Sequence, residues 1–148
     1  MRRHGASIAV VLAGAAALPL MGCGADEYRS LVAGECLPAD AQVIGRREAD
    51  PPRVPCGVAH RYEVFWVGPL DGDDRYPGEA ALDALAARTC AQRFTPVVGI
   101  EIDAIPDGTQ LLRLQPSEES WNDGDRDVEC IVAFEADRAG RLGEGDET

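Results

Sequence analysis

At 148 residues and 45% apolar content the chain is the size of one domain with one hydrophobic core. A formal net charge of −12, with all positive side-chain charge on Arg and none on Lys, repels phosphate backbones and anionic headgroups, which excludes nucleic acid as an expected partner. Neither number points to a reaction, and no cofactor is expected.

The chain opens with Met1-Arg2-Arg3-His4, a positive start, followed by an apolar run of 13 residues from Ala6 to Leu18. That run is too short to span a bilayer and has the length of a secretory signal core. Leu20-Met21-Gly22-Cys23 follows, with a small residue at the expected cleavage point and a cysteine directly after it. The order resembles a bacterial lipoprotein signal: residues 1–22 are removed and Cys23 is lipidated as the new N-terminus. The expected address is the outer face of the cell membrane, held by a lipid anchor. Removing residues 1–22 leaves 126 residues, and the loss of Arg2 and Arg3 moves the charge to −14. Residues 23–30 read as a polar tether, and residues 31–135 as the domain.

Asp50-Pro51-Pro52 breaks the chain, and Pro55 suits only an edge or a strand end. Residues 60–67 (HRYEVFWV) are β-branched and aromatic, so they read as a strand. Strict alternation puts Tyr62, Val64 and Trp66 on one face and Glu63, Phe65 and Val67 on the other. Both faces are largely apolar, so the strand is expected to be central. Residues 69–78 are a polar loop. Residues 79–94 read as a helix, because Leu82, Leu85, Ala86, Cys90 and Phe94 share one side at helical spacing and Pro96 is a stop signal. Glu79 and Asp83 lie early and Arg88 and Arg93 late, matching the helix dipole.

Residues 111–114 are a second strand candidate. Ser117 reads as a cap for a short turn at residues 116–121, with Glu118 and Glu119 at its positive end and Gly124 as a left-handed exit. Residues 128–134 are a third strand, with Val128, Cys130, Val132 and Phe134 on one face. Residues 136–148 have little apolar content and read as a flexible tail. The expected fold is α+β: a small antiparallel sheet with one principal helix packed on it and two disulfides.

With Cys23 assigned to lipid, Cys36, Cys56, Cys90 and Cys130 form an even set, which in an exported domain reads as two disulfides. Four cysteines allow three pairings. Cys36–Cys56 is preferred because it closes a short loop rich in turn residues. Cys90–Cys130 is preferred because Cys90 lies on the buried helix stripe and Cys130 on the strand face that stripe would cover. A zinc site is disfavoured, since no Cys-x-x-Cys pair exists.

Several short pieces occur in a set order: Gly34-Glu35-Cys36, Val54-Pro55-Cys56, His60 with Glu63-Val64-Phe65, Tyr76-Pro77-Gly78, Cys90, Phe94, Val98-Gly99, Pro116, Ser120-Trp121, Gly124-Asp125-Arg126 and Val128-Glu129-Cys130. Together they resemble the septum-formation domain family of actinobacterial envelope proteins, over about residues 32 to 134. The resemblance implies a membrane-tethered extracytoplasmic domain with a part in assembling the division septum. Relatives often carry transmembrane segments where this chain has the Gly22-Cys23 signal.

His60 is the sole histidine beyond the signal. Glu63 lies three residues on, and strand alternation would turn it to the opposite face, so no direct cooperation is expected. The simpler role for His60 is a hydrogen bond to loop backbone. Asp123, Asp125 and Asp127 alternate like a calcium loop, but Val128 stands where Gly is required and Phe134 where Glu is required. Asp71, Asp73 and Asp74 form a second acidic turn, and both sets read as solvated loops. Trp121 is either an exposed platform for a sugar or partner, or a plug at one end of the sheet, the plug being favoured. Arg126 reads as a structural ion pair with Asp125 or Asp127.

The function expected is a binding or scaffolding module in the envelope, engaging a cell-wall or division partner, with His60, Glu63, Trp121 and Arg126 as candidate contacts. No catalytic residue is assigned and no enzyme activity is expected. The alternative is an envelope enzyme acting on a wall polymer through His60 or an acidic pair.

Overall fold

The computed structural model describes residues 31–43 and 51–144. The signal, Cys23, the tether and residues 145–148 of the expected tail lie outside the described residues. Four strands, β1 (Cys36–Leu37), β2 (His60–Pro69), β3 (Gln110–Leu114) and β4 (Asp127–Arg138), form one antiparallel sheet in the order β1-β2-β4-β3. The principal helix α1 (Glu79–Val98) crosses one face, and a short α2 (Glu118–Asn122) precedes β4. This is the α+β arrangement expected, with β2 central.

Helix α1 forms where the apolar spacing requires it. Leu82, Ala86, Cys90 and Phe94 make its buried stripe. They pack with Phe65, Val128, Val132 and Phe134 from the sheet. Each aliphatic side chain so buried contributes about 1.5–3 kcal/mol. The helix does not stop at Pro96. It continues to Val98 and ends at Gly99, whose φ of 88° supplies the left-handed cap while its N–H donates to the Thr95 carbonyl. Near a helix end, proline forfeits only one backbone hydrogen bond, and glycine sets the exit. Ser117 caps α2 as expected: its hydroxyl accepts from the Ser120 N–H, and the Ser120 hydroxyl accepts in return from the Ser117 N–H.

The opposite face of the sheet is also covered. Leu31, Leu37, Ala41 and Val43 lie over Val64 and Ile131 as a second apolar cluster. The buried Glu129 carboxylate accepts from the Leu31 N–H at 3.1 Å and pins the start of this cover. Both disulfides are the expected ones, Cys36–Cys56 with Cα atoms 5.3 Å apart and Cys90–Cys130 at 5.5 Å. The second joins α1 to β4.

Three expectations need correction. First, β2 does not alternate strictly. The register slips between Val64 and Trp66, because Val64 opposes Ile131 and Trp66 opposes Cys130. An extra residue on β2 shifts the side-chain phase by one. Phe65 and Trp66 therefore both join the helix-side core, and Val67 joins Tyr62 and Val64 on the other face. Second, because α1 runs on to Val98 its last turn holds no basic residue, and the Arg93 guanidinium instead sits 4.9 Å from the centre of the Trp66 ring. Third, the chain after residue 135 is not a free tail as far as Glu144. β4 runs to Arg138, Leu142 is buried, and Gly143 passes so close to the Val98 carbonyl that a Cβ there would sit 2.2 Å from its oxygen. One buried leucine and a set of backbone hydrogen bonds hold this segment, which leaves little signal in composition.

Candidate functional site

His60 opens β2 and is fully buried. Its position follows from a second register slip. Between Tyr62 and His60, β2 advances two residues while β4 goes from Ala133 to Arg138. That irregularity breaks the period-two rule, and His60 and Glu63 end up facing each other. His60 Nε2 lies 2.9 Å from Glu63 Oε1, and Nδ1 lies 2.8 Å from the Val58 carbonyl. The expected backbone bond to the loop is present. The expected separation of His60 from Glu63 is wrong, because it assumed a regular strand.

The proton inventory of the pair follows from its partners. A carbonyl only accepts, so Nδ1 carries a proton and donates to Val58. The contact between Nε2 and Oε1 needs one more proton, held on either atom. Both Glu63 oxygens also accept from the Leu142 N–H at 3.1 Å. Gly140 N–H donates to the Cys56 carbonyl at 2.8 Å, and the Arg141 guanidinium donates to the Gly34 carbonyl. The segment 138–142 thus latches onto the turn before β1, onto β2 and onto the Cys56 turn through one buried acid and two carbonyls. Glu63 is 5% exposed, so this dyad is enclosed and offers no face to a polymer substrate.

β1 adds a further group. Cys36 pairs with Glu63 across the ladder. Cys36 Sγ, a His60 ring nitrogen and a Glu63 carboxylate oxygen all lie within 4.8 Å of one another. Neither the latch nor this approach was anticipated from sequence. The nearest signals were the four-residue step from Cys56 to His60 and a lone Leu142 between Gly140 and Gly143, which have φ of 83° and 85°.

The other candidates separate from this site. Trp121 is 1% exposed and acts as the plug, with its indole N–H donating to the Asp74 carbonyl at 3.2 Å. Arg126 stacks on its ring at 4.0 Å and donates to the Trp121 and Asp125 carbonyls. Its nearest carboxylate is Asp74 at 3.9 Å, so the expected ion pair with Asp125 or Asp127 gives way to backbone contacts and a stacked ring. Asp71, Asp73, Asp123, Asp127, Glu118 and Glu119 are exposed. Among the described residues, the acidic sets do not gather three ligands around one point. An open groove of about 390 Å³ lies over the His60 end of the sheet, lined in part by Arg61, Tyr62, Gln110, Leu112 and Glu135. Among the described residues, no helix is long and apolar enough to cross a membrane.

A family model described as septum formation matches residues 22–141. No curated protein and no solved structure matches the chain.

Proposed function

Because the chain belongs to the septum-formation family, we propose that it is a lipid-anchored domain on the outer face of the cell membrane that binds and positions a wall or division partner at the septum. The observation that carries this reading is the family match, which runs from the residue before Cys23 through the latch at Arg141. The two disulfides support an oxidising compartment. The Gly22-Cys23 order supports the anchor. A binding role is supported by the use made of the His60–Glu63 pair, which is spent on closing the fold. The groove beside Tyr62 and Gln110 is the surface we assign to the partner, since it sets exposed polar groups beside the half-buried Tyr62 and Leu112.

The anchor is tested by Cys23→Ala. The domain should leave the membrane fraction, or its precursor should accumulate uncleaved. A single acyl chain gives an association constant of only about 10⁴ M⁻¹, so stable attachment needs the multiple chains that lipidation at Cys23 would supply. A Cys23→Ala chain that is processed normally and stays with the membrane removes the lipid from the account.

A further inference from the structure

We propose that opening the Cys36–Cys56 disulfide creates a zinc site, with Cys36 Sγ, Cys56 Sγ, His60 Nε2 and Glu63 Oε1 as ligands. Three of these residues already converge, their ligand atoms all within 4.8 Å of one another. The fourth, Cys56, is bonded to Cys36 and lies outside that group, so its thiolate has to swing in beside Cys36 once the bond opens. Ligands around tetrahedral zinc sit about 3.3–3.8 Å apart, given metal–ligand bonds of about 2.0–2.3 Å. Two thiolates, one imidazole and one carboxylate are a soft-to-borderline donor set that suits zinc over calcium or magnesium.

The surroundings are those of a metal-ready site. His60 Nδ1 donates to the Val58 carbonyl, which fixes the ring and leaves Nε2 for a cation. Glu63 Oε2 keeps the Leu142 N–H, which orients the carboxylate while Oε1 binds. Cys36, His60 and Glu63 are buried, as in closed structural sites. In the disulfide form a proton holds the place between Nε2 and Oε1 that the cation would take.

The chemistry balances as follows. A dithiol supplies two electrons and two protons. Its thiolate attacks Cys56 Sγ, the S–S bond breaks, and the dithiol leaves as a disulfide. Cys36 and Cys56 are then thiols. Zinc displaces their two protons and the one shared by His60 and Glu63. Cys56 is half-buried while Cys90 and Cys130 are both buried, so the reductant meets the first bridge before the second.

The test uses the full-length chain carrying Cys23→Ser, so that four cysteines remain. The protein is kept oxidised, or reduced with a phosphine, and dialysed against zinc or cobalt(II) without oxygen. The reduced chain should hold one zinc per molecule and the oxidised chain none. Cobalt in the reduced chain should show the thiolate charge-transfer band and the intense visible bands of a tetrahedral centre. Cys36→Ser with Cys56→Ser should remove the charge-transfer band, and Glu63→Gln should weaken zinc at least tenfold without removing that band. Equal zinc in oxidised and reduced chains overturns the proposal. So does a charge-transfer band that survives the double serine variant. If reduction unfolds the chain, zinc should restore its circular dichroism, and failure to do so also overturns the proposal. Should the double serine variant not fold, the parent's oxidised–reduced contrast and the Glu63→Gln affinity decide the outcome.

Discussion

Replacing Glu63 with Ala should cost about 3–5 kcal/mol of folding stability, the loss expected when one partner of a buried pair is removed. The carboxylate accepts from Leu142 through both oxygens and meets His60 through one. Without it, a fully buried imidazole and a buried backbone N–H lose their partner together. Glu63→Gln keeps the shape, with its amide oxygen accepting from the Leu142 N–H and its NH₂ donating to the neutral His60 Nε2, but it loses the charge-assisted bond. It should cost less, about 1–3 kcal/mol. Urea denaturation measures both. Hydrogen exchange separates this reading from general destabilisation: Gly140 and Leu142 amides should exchange faster under conditions where the central β2–β4 ladder remains protected. A Glu63→Ala chain within about 0.5 kcal/mol of the parent, the range of an ordinary surface change, would mean that the latch does not hold the fold.

Removing the Cys90–Cys130 bridge, as Cys90→Ala with Cys130→Ala, should cost about 4 kcal/mol. The estimate comes from the chain entropy of a loop with a sequence separation of 40. The corresponding figure for Cys36–Cys56, with a separation of 20, is about 3 kcal/mol. The longer bridge matters more for a second reason. It ties the stripe of α1 to the strand face it covers, so both cysteines lie inside the helix-side core. Against a typical domain stability of about 5–15 kcal/mol, such a loss leaves a chain near its unfolding threshold. Thermal and urea unfolding of the double variant check this. A loss below about 1 kcal/mol would show that core packing alone fixes α1 on the sheet.

The elements that could be read from sequence are those whose signal is local. The α1 stripe, the Ser117 cap and the inward face of β4 each follow from spacing within one element, and the Cys90–Cys130 bridge follows from combining two of them. The His60–Glu63 contact is different in kind. It depends on register slips between β2 and β4, and a slip is a property of two strands that neither shows alone. The same cause moved Trp66 and Val67 to unexpected faces. The cover formed by Leu31, Leu37, Ala41 and Val43 was illegible because its apolar residues are irregularly spaced and its order comes from contact with the sheet. The latch was missed because backbone groups, an Arg and one leucine do the holding, and composition registers none of that.

The candidate contacts divide along the same line. Trp121 and Arg126 were visible as residue types, but their roles depend on a loop 47 residues away, where the Asp74 carbonyl accepts from the indole. The buried tryptophan closes one end of the sheet and the His60–Glu63 pair closes the other. The groove over Tyr62, Gln110 and Leu112, beside the His60 end, is the surface to which we assign partner contact.

We propose that a folded domain tethered outside the membrane is needed for septation. The most direct measurement is septum formation in cells of the native host whose only copy of the protein carries Cys23→Ala, with exported and folded domain verified by its two disulfides. Septa should be lost or misplaced to the same degree as in cells lacking the protein, with the parent copy restoring them. Normal septa in cells where the domain is exported, folded and free of the membrane would contradict it.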